Sequence, residues 1–167
     1  LGDYIYEFAN GIYGDGSGLL RLPEPPREAV TLGDYRLRYA TYRTDPDLQE
    51  AHRRHPFVAV WDDHETTNDA WRDGAENHQT DEGGYRARRR RAYRAFDEWM
   101  PVRLGDEVAL GDGTRVFRRL RFGTLADLSM LDLRTYRDEQ VELAATPVPS
   151  PDPEISDPAR TITGNGQ

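Results

Sequence analysis

Two short stretches hold the residue types of an acid–base or cation-binding site. Gly2-Asp3-Tyr4-Ile5-Tyr6-Glu7 sets two carboxylates beside two phenols, and Trp61-Asp62-Asp63-His64-Glu65-Thr66-Thr67-Asn68 crowds carboxylates, an imidazole and an amide into one run. Carboxylates packed this closely repel one another unless a proton or a cation sits between them. Hard oxygen donors of this kind suit Ca²⁺, Mg²⁺ or Fe³⁺ better than soft metals. Each stretch alone has a plainer explanation: Gly-Asp is a common turn, and Asp-Asp-His-Glu can cap a helix. Both follow a predicted strand, however, and ligands in α/β sheets gather at the carboxyl ends of strands. Together they predict one shared site. A third stretch, Leu131-Asp132-Leu133-Arg134-Thr135-Tyr136-Arg137, also follows a predicted strand. Arg134 is placed to reach the site, with an ion pair to Asp132 or Asp138 as the alternative; Asp132 reads as structural.

Elements that could position these residues are legible around them. Residues 1–7 read as a strand end, and the Gly- and Pro-rich stretch 11–26 as an irregular loop. Thr31 is a helix N-cap for a helix to about Arg43, with Leu32, Tyr35, Tyr39 and Tyr42 on its apolar face. Asp45-Pro46 starts a second helix, which stops before Pro56. The run Phe57-Val58-Ala59-Val60-Trp61 reads as a central strand buried on both faces. A long polar loop covers 62–82, and loops of that length are often functional. A helix over 83–100 buries Tyr85, Ala92, Tyr93, Phe96, Trp99 and Met100, with the arginines of 86–91 as a solvated face. Strands at 116–122 and 124–133, joined at Gly123, share one buried face through Val116, Leu120 and Phe122. Residues 134–143 are loop or short helix, and the Pro-rich stretch 146–158 is extended. Strands alternating with helices predict an α/β layered fold.

Composition narrows the function classes. The chain has 167 residues, 37% of them hydrophobic, which is enough for one domain core or part of one. No apolar run approaches the ~20 residues of a membrane span. There is no cysteine, so disulfides, thiol catalysis and iron–sulfur clusters are excluded within this stretch. A net charge of −8 disfavours nucleic acid as a partner. Of the four histidines, His52 and His55 read as surface residues and His78 as lining a pocket entrance.

The three stretches, in this order and spacing, resemble the metal-binding motifs of the PhoD-like alkaline phosphatase family, among the calcineurin-like and purple-acid-phosphatase-like metallophosphoesterases. The resemblance covers most of residues 1–140, and Trp61-Asp62-Asp63-His64-Glu65 is its most specific part. It implies part of an αββα sandwich with long loops, and a site that holds Fe³⁺ and Ca²⁺. By resemblance Asp3 is a bridging ligand, Tyr6 a phenolate ligand on iron and Asp63 a further metal ligand, with Asn68 a second oxygen donor for calcium. Asp63 stands where the wider superfamily has Asn. His64 falls at the position that protonates the leaving group or steadies the transition state, and Arg134 is assigned a catalytic role beside it.

The implied reaction is attack of a metal-activated water on a phosphoester phosphorus, with a small-molecule, lipid or polymer phosphoester as substrate. Two rivals share the residues: a phosphodiesterase or phospholipase-D-type activity, and a non-catalytic metal-binding domain. The family's upstream acidic or thiolate ligand and its downstream His-containing motifs have no counterpart here. Residues 1–167 are therefore expected to be part of one such domain, holding about half a site and inactive alone. Resemblance also implies an extracytoplasmic location.

Overall fold

The computed structural model describes residues 2–12, 22–103 and 115–140. Three helices and a hairpin carry its regular structure: α1 (Leu32–Tyr42), α2 (Pro46–Arg54), α3 (Tyr85–Trp99), β1 (Arg118–Phe122) and β2 (Ala126–Met130). A single 3-10 turn, Thr80–Glu82, precedes α3.

The helix starts follow their capping chemistry. Thr31 Oγ1 accepts from Asp34 N at 3.2 Å, and Asp34 Oδ2 accepts from Thr31 N at 2.9 Å, so a reciprocal capping box opens α1. Asp45 caps α2 by accepting from Leu48 N at 2.9 Å, and Pro46 takes the first helical position. Helix α1 packs on α3 over a core of Ile5, Tyr35, Tyr39, Ala59, Trp61, Ala92, Tyr93, Phe96, Met100 and Val116. Trp61 lies flat on Tyr93 at 3.9 Å between ring centroids and edge-on to Phe96 at 5.3 Å. That stack ties the start of the Asp-Asp-His-Glu run to α3.

Several expectations are corrected. Residues 57–61 form no ladder among the described residues; the run is buried at Ala59 and Trp61, and Ala59 O accepts from Arg118 Nη2 at 2.7 Å. Its hydrophobicity reflects contact with α3, a demand that β-rich composition alone does not separate from strand pairing. Residues 2–7 likewise bend rather than pair. The two predicted strands at the chain's far side do form, antiparallel, with Leu120 opposite Leu128 and a turn at Gly123, whose φ is +56°. Only Val116, just before β1, is fully buried; Phe122 and Leu128 are 53% and 40% exposed, so the hairpin has no buried face here. The fold is therefore mixed helix with a small antiparallel sheet, consistent with α/β without the whole sandwich.

The arginine run of α3 is split as well. Arg88 and Arg89 are buried, while Arg86, Arg90 and Arg91 are exposed. His55 is exposed as expected, but His52 is half-buried, stacked on Phe57 at 3.8 Å and bonded through Nε2 to the Tyr4 hydroxyl at 2.7 Å. The Pro-rich stretch 146–158 lies outside the described residues, as do 141–143 and much of the predicted 11–26 loop.

Candidate metal centre

Glu65 staples the two acidic stretches together. Its carboxylate accepts from Asp3 N (3.1 Å), Tyr4 N (2.6 Å) and Asp62 N (2.8 Å), so one side chain orders backbone on both sides of the site. Burial pushes its pKa up to about 7, against the pull of those three N–H bonds. Gly2 allows the close approach: a Cβ there would sit 2.7 Å from both the backbone nitrogen and the Cβ of Asp62. Asp3 follows with φ +55°, a left-handed conformation that Asp adopts more readily than most residues.

This crossing brings Asp3, Asp63 and His64 together. One ligand atom from each lies within 4.8 Å of the others, and Asp63 and His64 are buried. Asp3 Oδ1 is buried without a hydrogen-bond partner. Burial raises the Asp3 pKa, and the neighbouring carboxylates Asp62 and Asp63 add to the rise. Two carboxylates, one with a buried oxygen that has no partner, form a pair that fits a cation, with the imidazole beside them. The remaining predicted site residues distribute around it. The Tyr6 ring stacks on His64 with centroids 4.1 Å apart. Asn68 uses its amide nitrogen on Glu76 Oε2 at 2.6 Å, and its backbone N–H on Glu7.

Arg134 does reach this region, with partners other than those expected. It donates to Asp62 Oδ1 (2.5 Å) and Asp69 Oδ1 (3.2 Å), and its Nη2 lies 3.3 Å from Asp63 Oδ1. Burial opposes its charge, and the three carboxylates outweigh burial and raise its pKa. Asp69, at φ +48°, donates its N–H to Asp63 Oδ2 at 2.6 Å and is also paired with Arg137. Asp138 instead pairs with Arg72, and Asp132 accepts from Trp61 Nε1 (2.9 Å), Arg134 N (3.1 Å) and Thr135 N (2.9 Å). His78 bonds Gly83 O at 3.0 Å and packs edge-on against Tyr85.

Glu7 belongs to the first acidic stretch, where its residue type assigns it no separate role; it is fully buried. Arg38, 1% exposed, is a further functional residue outside the three stretches: its guanidinium donates to the carbonyls of Tyr6, Phe8, Pro25 and Arg27 at 2.8–2.9 Å and so holds the first stretch in place. A signal for Arg38 exists: it falls between Tyr35, Tyr39 and Tyr42 on the aromatic face of α1, where a charged residue must find buried acceptors.

A helical scaffold with an acidic–imidazole cluster at the crossing of two loops defines a candidate metal centre. The chain belongs to the PhoD-like phosphatase family, whose pattern matches residues 1–167. It is 38% identical over 167 residues to alkaline phosphatase D of Bacillus subtilis (strain 168), covering all of this chain and 28% of that protein. A solved structure of PhoD superposes with a TM-score of 0.78 at 34% identity, over 99% of this chain and 31% of the other. The chain thus spans less than a third of the length of these relatives. No helix among the described residues is long and apolar enough to cross a membrane.

Proposed function

We propose that the protein is a metal-dependent hydrolase of phosphoric esters, and that this segment supplies part of its metal centre. The observation that carries the reading is the meeting of Asp3, Asp63 and His64 around the buried, unpartnered Asp3 Oδ1. Asp3 and Asp63 would hold cations there, with Tyr6 as a phenolate donor and Asn68 as a further oxygen donor. Fe³⁺ and Ca²⁺ are the ions proposed, since carboxylate, phenolate and amide oxygens are hard donors. Bound cations would neutralise charge on the phosphoryl oxygens and make water a better nucleophile.

The chain's own groups do the rest. His64 gives a proton to the leaving oxygen as the ester P–O bond breaks, while water supplies the oxygen that joins phosphorus. Arg134 carries positive charge to the edge of the cluster, where its carboxylate partners keep it oriented. The remaining ligands are proposed to lie outside residues 1–167, which form part of one phosphatase domain. The substrate is a small-molecule, lipid or polymer phosphoester, and the location extracytoplasmic.

Metal analysis and phosphoester turnover of the full-length protein test this. Bound iron with a visible phenolate-to-iron absorption band, lost in Tyr6→Phe, is expected together with hydrolysis of phosphomonoesters. Calcium alone without turnover would instead make it a binding module, and faster turnover of diesters would make it a phosphodiesterase.

A further inference from the structure

We infer that Asp69 is the positioning residue of Arg134: it holds one corner of the guanidinium so that another, Nη2, faces the Asp63 edge of the cluster and donates to a phosphoryl oxygen of the substrate. The inference rests on the phosphohydrolase reading above and deepens it.

A guanidinium is a rigid planar fork, so fixing two of its three nitrogens fixes the third. In Arg134 the fixed pair is Nε, which donates to Asp62 Oδ1 at 2.5 Å, and Nη1, which donates to Asp69 Oδ1 at 3.2 Å. No hydrogen bond among the described residues uses Nη2, which stands 3.3 Å from Asp63 Oδ1, so its N–H groups remain for a ligand. Asp69 is itself firmly held. Its Oδ1 also accepts from Arg137 Nη2, so a second guanidinium braces the carboxylate, and its N–H donates to Asp63 Oδ2 at 2.6 Å. The chain around it closes tightly: Asn68 N donates to buried Glu7 at 2.6 Å, Ala70 pairs with Ala75, and Trp71 N donates to Gly74 O at 2.8 Å. Arg72 N donates to Arg137 O at 3.0 Å, which ties this loop to the stretch that carries Arg134. The left-handed φ of +48° at Asp69 is imposed by this closure, and it serves two partners from one residue. A surface ion pair with Arg137 alone would need none of it.

The arrangement joins two halves of phosphoester recognition. The backbone of Asp69 orients the carboxylate of Asp63, which would hold a cation. Its side chain orients the Arg134 guanidinium, which would meet the phosphoryl oxygens. Both positive groups are then set in advance around one oxyanion. Asparagine at position 69 adopts the left-handed conformation readily and keeps the N–H on Asp63, so the cation-binding half is undisturbed. Its neutral amide oxygen holds two guanidiniums far more weakly than a carboxylate does, and the Nη1 corner of Arg134 is released. One substitution therefore separates the two tasks of this residue.

The test uses the full-length, metal-loaded protein and inorganic phosphate, titrated calorimetrically. Asp69→Asn is expected to weaken phosphate binding about tenfold, the scale of one charge-assisted hydrogen bond, with metal content unchanged and KM for a phosphomonoester rising in step. Arg134→Gln is expected to weaken it at least as much. On that background Asp69→Asn should cost nothing further, since it acts through the absent guanidinium. Undiminished phosphate affinity in Asp69→Asn, loss of bound metal, or losses that add on the Arg134→Gln background would each overturn the inference. Should Asp69→Asn fail to accumulate, Asp69→Gly keeps the left-handed φ and the N–H while removing the carboxylate, and the same three outcomes overturn the inference there too. If the wild-type protein binds no phosphate and hydrolyses no phosphomonoester, the phosphohydrolase reading itself fails before any variant is compared.

Discussion

Arg88 offers the sharpest test of how this fold is held together. Its guanidinium has five N–H groups, and each is used: Nε on the Tyr35 hydroxyl (2.9 Å), Nη1 on Asn77 O (3.0 Å) and Glu82 Oε2 (2.9 Å), Nη2 on Glu28 Oε1 (2.6 Å) and Ala29 O (2.9 Å). The side chain is 0% exposed, whereas Glu28 and Glu82 keep 22% and 14% exposure. Arg88→Met fills a similar length and removes every donor. Stranding the partners of a buried ion pair costs roughly 3–5 kcal/mol, and the partial hydration of both glutamates argues for the lower end, about 3 kcal/mol. Arg88→Lys keeps the charge but offers three donors without the planar fork, so about half that loss is expected. Urea unfolding of the full-length protein is the assay, read as a lowered midpoint at unchanged slope. A loss under about 1 kcal/mol for Arg88→Met would refute the idea that this guanidinium organises the loop before α3.

Other expected outcomes follow from the site. His64→Ala should lower phosphoester turnover by roughly 10²–10⁴-fold with metal retained, and unchanged turnover would make the ring structural. Gly2→Ala should destabilise by about 1–3 kcal/mol and weaken metal binding, because a Cβ 2.7 Å from Asp62 N must push the two acidic stretches apart; calorimetry and metal titration read both effects. In chelator-stripped protein the Glu7–His64 pair sets a pH window for stability. Burial opposes ionisation of Glu7, yet bonds from His64, Asn68 and Asn77 hold its pKa below 4.5, so its contribution is present above 4.5 and lost as pH falls further. Burial opposes charge on His64, yet Glu7, Asp63 and Asp3 raise its pKa above 6.5, so its contribution is present below 6.5 and lost as pH rises through the folded value. The pair should therefore contribute fully between pH 4.5 and 6.5, and denaturation curves for wild type and Glu7→Gln that differ equally at all pH values would contradict it.

Local chemistry was readable from the chain wherever neighbours in sequence are also neighbours in space. Thr31 with Asp34 and Asp45 with Pro46 set the starts of α1 and α2, and Gly123 set the hairpin turn, because caps and turns are made of residues three or four apart. The acidic stretches were recognisable by residue type and order as those of the PhoD-like phosphatase family, to which the chain belongs. What sequence could not supply was the partner of each buried charge. Arg88 and Arg89 look like a solvated run, although both fall on the Tyr85–Ala92–Phe96 face of α3, and only the loop packed over that face shows why they are buried. The 57–61 run is equally apolar as a strand or as a segment laid against a helix, so its state depended on what lay beside it. Glu7, Glu65 and Asp69 are ordinary acidic residues until folding brings them across tens of positions to His64, Asp3 and Arg134. Their roles are pairwise and long-range, and a pairwise contact is a property of the folded chain rather than of either residue.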